Sequence, residues 1–367
     1  MNLYYSYLGR MLSGKTSFKR EGYYLVYENR DKGFTYTKPE HIEVITSERF
    51  LEALIEGSKM IVNQFAESAN NQDVYAFALF ADEHHNLCMF TNTISQFERT
   101  AKKYKESGST TDEHLLKYNP GDFKYQLWIE GSHEYIIDYF SSLNYADLHE
   151  EQEDTILEDR EPILAYEAGI IAGGYQVLVV EAMRRLVQED VFHPLNKTDD
   201  FIAYATIDND CLDYSLLMRE TINRDLFYRV FPEHEEKDHA FQLEMDKNKH
   251  LSAGEWLDYW LGEIHGEALT GISVSDYWKP EFEIFVQMEH LGQELAEECL
   301  HRLYRLVQLK SNEREDGREI EYYLEAMHFA GELTDQHKAA ARKIANTILP
   351  IDEFNKYLYR ELQEFAE

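Results

Sequence analysis

Cysteine is scarce in this chain: Cys88, Cys211 and Cys299 stand far apart, with no Cys-x-x-Cys pair. That argues against a disulfide framework and a thiolate zinc site, and it fits a reducing compartment. Long apolar runs are missing as well. The longest candidate, residues 165 to 180, is broken by Glu167, Gly173, Gly174 and Gln176, so no segment reads as a membrane span. The opening Met1-Asn-Leu-Tyr-Tyr-Ser-Tyr-Leu8 lacks the charged-then-apolar order of a signal peptide, and the expected location is the cytoplasm. Positive charge is the third scarcity. Lys and Arg total 36 against 69 Asp and Glu, a formal charge of −33, and no long Lys/Arg run offsets it. Nucleic acid and anionic membranes would be repelled, whereas a basic protein partner would be attracted.

Apolar and aromatic residues are plentiful, 44% and 14% of the 367 residues, enough for packed cores. The chain also carries an internal recurrence. Asp73-Val-Tyr-Ala-Phe-Ala-Leu-Phe-Ala-Asp82 returns in diverged form as Asp200-Phe-Ile-Ala-Tyr-Ala-Thr-Ile-Asp208. Asn92-Thr93 then aligns with Glu220-Thr221, and Pro120-Gly-Asp-Phe123 with Ala253-Gly-Glu-Trp256. Three matches in the same order point to duplication.

The expected fold class is α+β: two related modules, each with a small antiparallel sheet flanked by helices, a β-rich N-terminal segment and a helical C-terminal tail. The divisions fall at 1–45, 46–160, 161–310 and 311–367. Within them, residues 3–8, 23–27 and 34–37 read as strands. Thr46 or Ser47 caps a helix that carries Phe50, Leu51, Leu54, Ile55, Ile61 and Phe65 on one face and ends near Asn70-Asn71. Strand 74–80 turns through Asp82-Glu-His-His-Asn86 into 87–90, and a helix capped by Thr91 or Thr93 follows. In the second copy, a helix over 170–186 precedes strands 201–207 and 212–217, then a helix from about Thr221. Residues 234–250 are an inserted charged stretch, one long helix runs from Pro280 through Leu306, and terminal helices occupy roughly 318–332, 334–347 and 351–366.

Several motifs invite chemistry. Gly9-Arg-Met-Leu-Ser-Gly14-Lys15-Thr16 satisfies the phosphate-loop pattern, in which backbone amides wrap phosphates, Lys15 would reach the terminal ones and Thr16 would hold magnesium. Too few residues follow before the β-rich Tyr23–Tyr27 for the required helix, so a β-turn is the expectation and nucleotide binding through Gly14, Lys15 and Thr16 the alternative. His234 and His239 are five residues apart, about 140° around a helix, and cannot both face one ion. Asp208-Asn-Asp-Cys-Leu-Asp213 starts like a calcium loop but lacks its glycine and its closing Glu. Glu298/His301 and Glu325/His328 have the spacing of a di-iron carboxylate site, but the same spacing recurs at Glu130/His133 and Glu236/His239, as a Glu-rich chain produces by chance, and exposed helix faces are the expectation. Asp122 and Glu255, at matching places in the two copies, are expected to cap the elements that follow, with Phe123 and Trp256 in the core. Neither a metal, a cofactor nor a catalytic set is assigned.

Tyr75-Ala-Phe-Ala-Leu79, Asn92-Thr93 and Pro120-Gly-Asp-Phe123, and again Ala203-Tyr-Ala205, Thr221 and Ser252-Ala-Gly-Glu-Trp256, resemble the bacterial family known as domain of unknown function 4303. The second copy departs from the pattern at Glu220, where the family has Asn. The likeness spans roughly 45–160 and 161–310. It implies a small α+β domain found in toxin and immunity neighbourhoods. With the charge, it makes an acidic, non-enzymatic immunity-type protein that neutralises a basic toxin or nucleic-acid-processing partner the leading expectation. A nucleotide-using defence component and a structural subunit of a larger assembly are the rivals.

Overall fold

The computed structural model describes residues 8–15, 20–82, 84–110, 113–143, 156–157, 160–207, 216–264, 281–308, 317–348 and 353–366. The chain forms two compact units, Ser17–Pro232 and Met1–Thr16 with Glu233–Glu367.

Among the described residues the first unit holds eight strands: β1 (Tyr23–Val26), β2 (Lys32–Thr35), β3 (Glu43–Ile45), β4 (Val74–Ala81), β5 (Leu87–Thr93), β6 (Tyr125–Leu127), β7 (Leu164–Glu167) and β8 (Lys197–Thr206). They make two four-stranded sheets, ordered β2-β1-β7-β3 and β6-β5-β4-β8. Gly22, at φ 105°, leads into β1 so close to Phe34 that a Cβ there would lie 2.4 Å from its ring. β7 then inserts between β1, to which it is antiparallel, and β3, to which it is parallel.

In the second sheet β4 is the inner strand. It runs antiparallel to β5, from Phe77↔Thr91 to Ala81↔Leu87, and parallel to β8, from Ala76↔Ile202 to Phe80↔Thr206. Tyr75, Ala76 and Ala78 join Tyr118, Phe123, Tyr204, Met218, Phe227 and Phe231 in one buried cluster. Phe77 packs instead on Phe192, ring centroids 5.0 Å apart. Helix Tyr175–Gln188 packs on β4 and β8, and helix Ser47–Ala66 packs on that helix. A strand covered on both faces and both edges has no reason to alternate, which is why 74–81 reads as one apolar run.

The α+β class, two small sheets, a β-rich front and a helical tail are as the sequence predicts. What differs is which strands make each sheet. The recurring segments 74–81 and 197–206 do not found separate modules. They lie side by side in one sheet, because the buried backbone of β4 needs a hydrogen-bonded neighbour on each edge and β8 supplies the second. The first sheet likewise joins residues on either side of positions 45 and 160, so neither position separates one sheet from another. Both sheets are mixed rather than purely antiparallel. Strand 212–217 falls largely outside the described residues, and Leu217 opens the short helix Leu217–Thr221.

In the second unit the helices are Pro232–Asn248, Ala253–Ile264, Glu281–Val286, Gln293–Gln308, Gly317–His328, Asp335–Ala345 and Glu353–Ala366. The single long helix expected after Pro280 is broken: a 3₁₀ turn at Glu289–Leu291 ends at Gly292, φ 52°, and the chain restarts at Gln293. Leu8, expected in a strand, opens a helical turn over 8–12, while residues 1–7 lie outside the described ones. Within that turn Arg10 is 5% exposed and its Nε sits 3.0 Å from a carboxylate oxygen of Glu325, itself 5% exposed. Glu361 lies 3.9 Å from the same guanidinium and 3.3 Å from His328 Nε2. Burial alone would raise the Glu361 carboxyl, but His328 and Arg10 outweigh it and hold the group below its ordinary range.

Removing one partner of a buried ion pair strands the other. Arg10→Met is therefore expected to destabilise the second unit by about 3–5 kcal/mol, and Arg10→Met with Glu325→Leu to recover much of that. Thermal or denaturant unfolding measures both, and a double variant as unstable as the single one contradicts the account.

At the β4–β5 turn His85 adopts φ 62° and is fully buried, stacked on Phe140 at 4.9 Å and edge-on to Tyr175 at 5.0 Å. Neither ring nitrogen has a hydrogen-bond partner. Burial pushes its pKa down to about 4, against a smaller opposing pull from Asp82, with Lys32 and His84 adding to the depression. A folded-state value below the unfolded one means the unfolded chain binds the proton more readily. The stability His85 contributes is therefore complete above about pH 6.5 and falls away toward pH 4. Denaturation midpoints measured from pH 7 to pH 5 should drop less for His85→Phe than for the natural chain; equal slopes contradict this.

Candidate functional site

The 128–131 segment runs along residues 57–60 of helix Ser47–Ala66. Thr46 starts that helix, its hydroxyl accepting from Arg49 N at 3.2 Å. Ile129 seats its side chain against Gly57, where a Cβ would come within 2.7 Å, and Gly131 lies against Met60. Burying Ile129 turns its neighbour outward: Trp128 is 56% exposed and Met60 47%. Beside them Lys59 bridges Glu56 and Glu189, each at 2.9 Å, and Glu130 and Glu134 are exposed. The result is an exposed Trp and Met within a carboxylate-rich rim, the composition of a protein-binding centre. Trp128 belongs to none of the motifs that the sequence singles out. The signal was its parity: Gln126, Trp128 and Glu130 share one phase of the alternation, and Tyr125, Leu127 and Ile129 the other.

The four signature residues occupy two different environments. Asp122 ends a 3₁₀ turn, Pro120–Asp122, and does not cap the element that follows. It accepts from Tyr104 Oη at 2.8 Å and Asn119 Nδ2 at 3.0 Å, and the Tyr104 hydrogen bond, helped by the carboxylate charge, holds the Tyr104 phenol above the ordinary value. Phe123 is buried as expected. Behind it Asn92 Nδ2 donates to Tyr75 Oη at 3.0 Å, Tyr75 Oη donates to the Lys117 carbonyl at 2.6 Å, and Asn92 Oδ1 accepts from Thr93 N and Lys124 N. Burial pushes the Tyr75 phenol well up. Lys117 Nζ lies 5.1 Å from the ring centres of Tyr75 and Tyr118 and 3.2 Å from Asp200.

Glu255 by contrast does cap. Its carboxylate accepts from Ser252 N at 2.9 Å and Ser252 Oγ at 2.7 Å, a capping box at the start of helix Ala253–Ile264. Trp256 is buried and stacked 6.2 Å from Trp260.

The phosphate-loop-like stretch lacks the required amide geometry, and its helical turn, over 8–12, precedes Gly14. The amides of Ser13, Gly14 and Lys15, which should face phosphate, donate to the carbonyls of Gly9, Met11 and Arg10. Lys15 Nζ is ion-paired with Glu289 at 2.7 Å, and Thr16 lies outside the described residues.

His234 is buried and His239 exposed, as a five-residue spacing requires. Glu298 and Glu325 are held by Arg302 and Arg10, so the two Glu-x-x-His pairs do not converge. Among the described residues no group of three or more His, Cys, Asp or Glu is placed to hold a metal ion. The Asp208–Asp213 loop lies outside them.

Residues 54–224 match the family described as Domain of unknown function (DUF4303). The match runs unbroken across residue 160 and contains all of the sheet β6-β5-β4-β8. No curated protein and no solved structure matches the chain.

The Tyr75–Asn92 hydrogen-bond network and the separate Asp122–Tyr104 bond thus both lie within the matched segment. Asn92→Leu keeps the volume but leaves Tyr75 Oη and the amides of Thr93 and Lys124 short of a partner. The expected loss is about 1–3 kcal/mol in denaturant unfolding; an unchanged midpoint shows that the network carries no stability.

Proposed function

We propose that this is an acidic, non-enzymatic interaction protein of the immunity type, acting in the bacterial cytoplasm. It neutralises a basic toxin or nucleic-acid-processing protein by covering its cationic surface. The observation that carries this reading is the charge: with 69 carboxylates and 36 Lys and Arg, an excess of 33 negative charges persists even if every cation holds one acid. Several cations are committed inside the fold. Arg10 holds Glu325, and Arg302 holds Glu298 and Asp258 at 2.7 and 2.6 Å. The face around Trp128 and Met60 adds what diffuse charge lacks, an apolar centre that a partner can desolvate. Long-range attraction would speed encounter, and the Trp128 contact would slow release. Among the described residues no helix is long and apolar enough to cross a membrane.

The test is to titrate the full chain against basic proteins encoded beside its gene. Affinity for the true partner should weaken by about tenfold or more between about 50 mM and about 300 mM salt. Trp128→Ala should cost about 2 kcal/mol of binding, roughly thirtyfold, with no change in thermal stability. Tight binding insensitive to ionic strength removes the electrostatic mechanism, and full binding by the alanine variant removes the site.

A further inference from the structure

Helices Gln293–Gln308 and Asp335–Ala345 of the second unit pack together, yet they leave a cavity of about 310 Å³ between them. The sequence explains the gap. On the first helix Leu300 and Tyr304 project one turn apart; opposite them Ala340 offers only a methyl group before Ile344 closes the floor. Leu300 is 4% and Ile344 2% exposed, whereas Tyr304 is 37% exposed and forms a wall open to solvent.

Three basic side chains, His301, His337 and Lys343, line this space. His337 Nδ1 is buried and has no hydrogen-bond partner. Lys343 makes no ion pair among the described residues in a chain crowded with carboxylates; its ammonium instead sits 5.1 Å from the centre of the Tyr304 ring. Glu297 is the one acid on the lining and Gln336 its neutral polar neighbour. Several polar side chains, one with an unpartnered buried nitrogen, on the lining of a part-apolar space of this size are features of a small-molecule site. They run against the charge of the molecule, which would otherwise keep anions away.

We propose that this groove binds a small aromatic carboxylate. The carboxylate meets the Lys343 ammonium and the imidazoles of His301 and His337. The ring lies against Tyr304 over Leu300 and Ile344, and Glu297 disfavours a second negative charge. The proposal stands on the cavity and its lining, independently of the surface around Trp128.

Phenylacetate, phenylacetamide and phenethylamine share one body and differ in charge, so they separate the contributions when titrated into the full chain by ligand-observed NMR. Phenylacetate should bind saturably in the millimolar range or tighter, and about tenfold or more tighter than the amide or the amine. Lys343→Met should erase the preference for the carboxylate while Lys343→Arg retains it. Ala340→Leu should fill the cavity and abolish binding of all three, with melting temperature as the check on folding; the exposed Lys343 variants decide the matter if that variant does not fold. No saturable binding of phenylacetate, tighter binding of the amine, or carboxylate binding unaffected by Lys343→Met overturns the proposal.

Discussion

The first unit depends on the double covering of β4. A strand whose side chains are buried on both faces cannot leave either row of backbone groups unpaired without a large desolvation cost. β5 satisfies one edge through a short hairpin. The other edge is satisfied by β8, which begins more than a hundred residues later in the sequence and arrives parallel. Between them the chain must cross from one edge of the sheet to the other. Along that crossing lie helix Ile94–Glu106, Asp122 with its partners Tyr104 and Asn119, β7 in the other sheet and helix Tyr175–Gln188. The match over 54–224 begins within helix Ser47–Ala66 and ends after β8, and so includes both strands that flank β4.

Charge organises the surface differently. Where cations lie inside the fold they join distant segments: Arg10 binds residues 8–12 to the terminal helices, Lys117 faces Asp200, and Arg302 holds helix Gln293–Gln308 to Gly254 and Asp258. An apolar centre such as Trp128 with Met60 then matters more than any single acid, because exposed ion pairs contribute little individually and salt screens them.

The sequence was most readable where the signal is local. The apolar face of helix Ser47–Ala66 and its Thr46 cap, the β4–β5 hairpin and the Ser252-x-x-Glu255 capping box all lie within a few residues of the groups they engage. Pairings across the chain were not readable. β7 is four residues long and runs almost directly into a helical segment, so Leu164-Ala-Tyr-Glu167 gives no sign that it inserts between β1 and β3. The recurrence of 73–82 in 200–208 is present in the sequence, but the same resemblance fits two strands of one sheet as well as two modules. Asp122 and Glu255 show how equal placement diverges: one accepts from Tyr104 and Asn119 beside a core cluster, the other closes a helix end. The groove at Ala340 could not be found from spacing, since it depends on how large the facing side chains of two helices are.

The central claim is that the two recurring strands belong to one cooperative sheet. Native-state hydrogen exchange over the amides of 74–81 and 197–206, followed with increasing denaturant, tests it most directly. Both segments should exchange through the same opening, with equal free energy and equal denaturant dependence at their most protected amides. Two separate openings, one for residues 46–160 and another for 161–310, would contradict it.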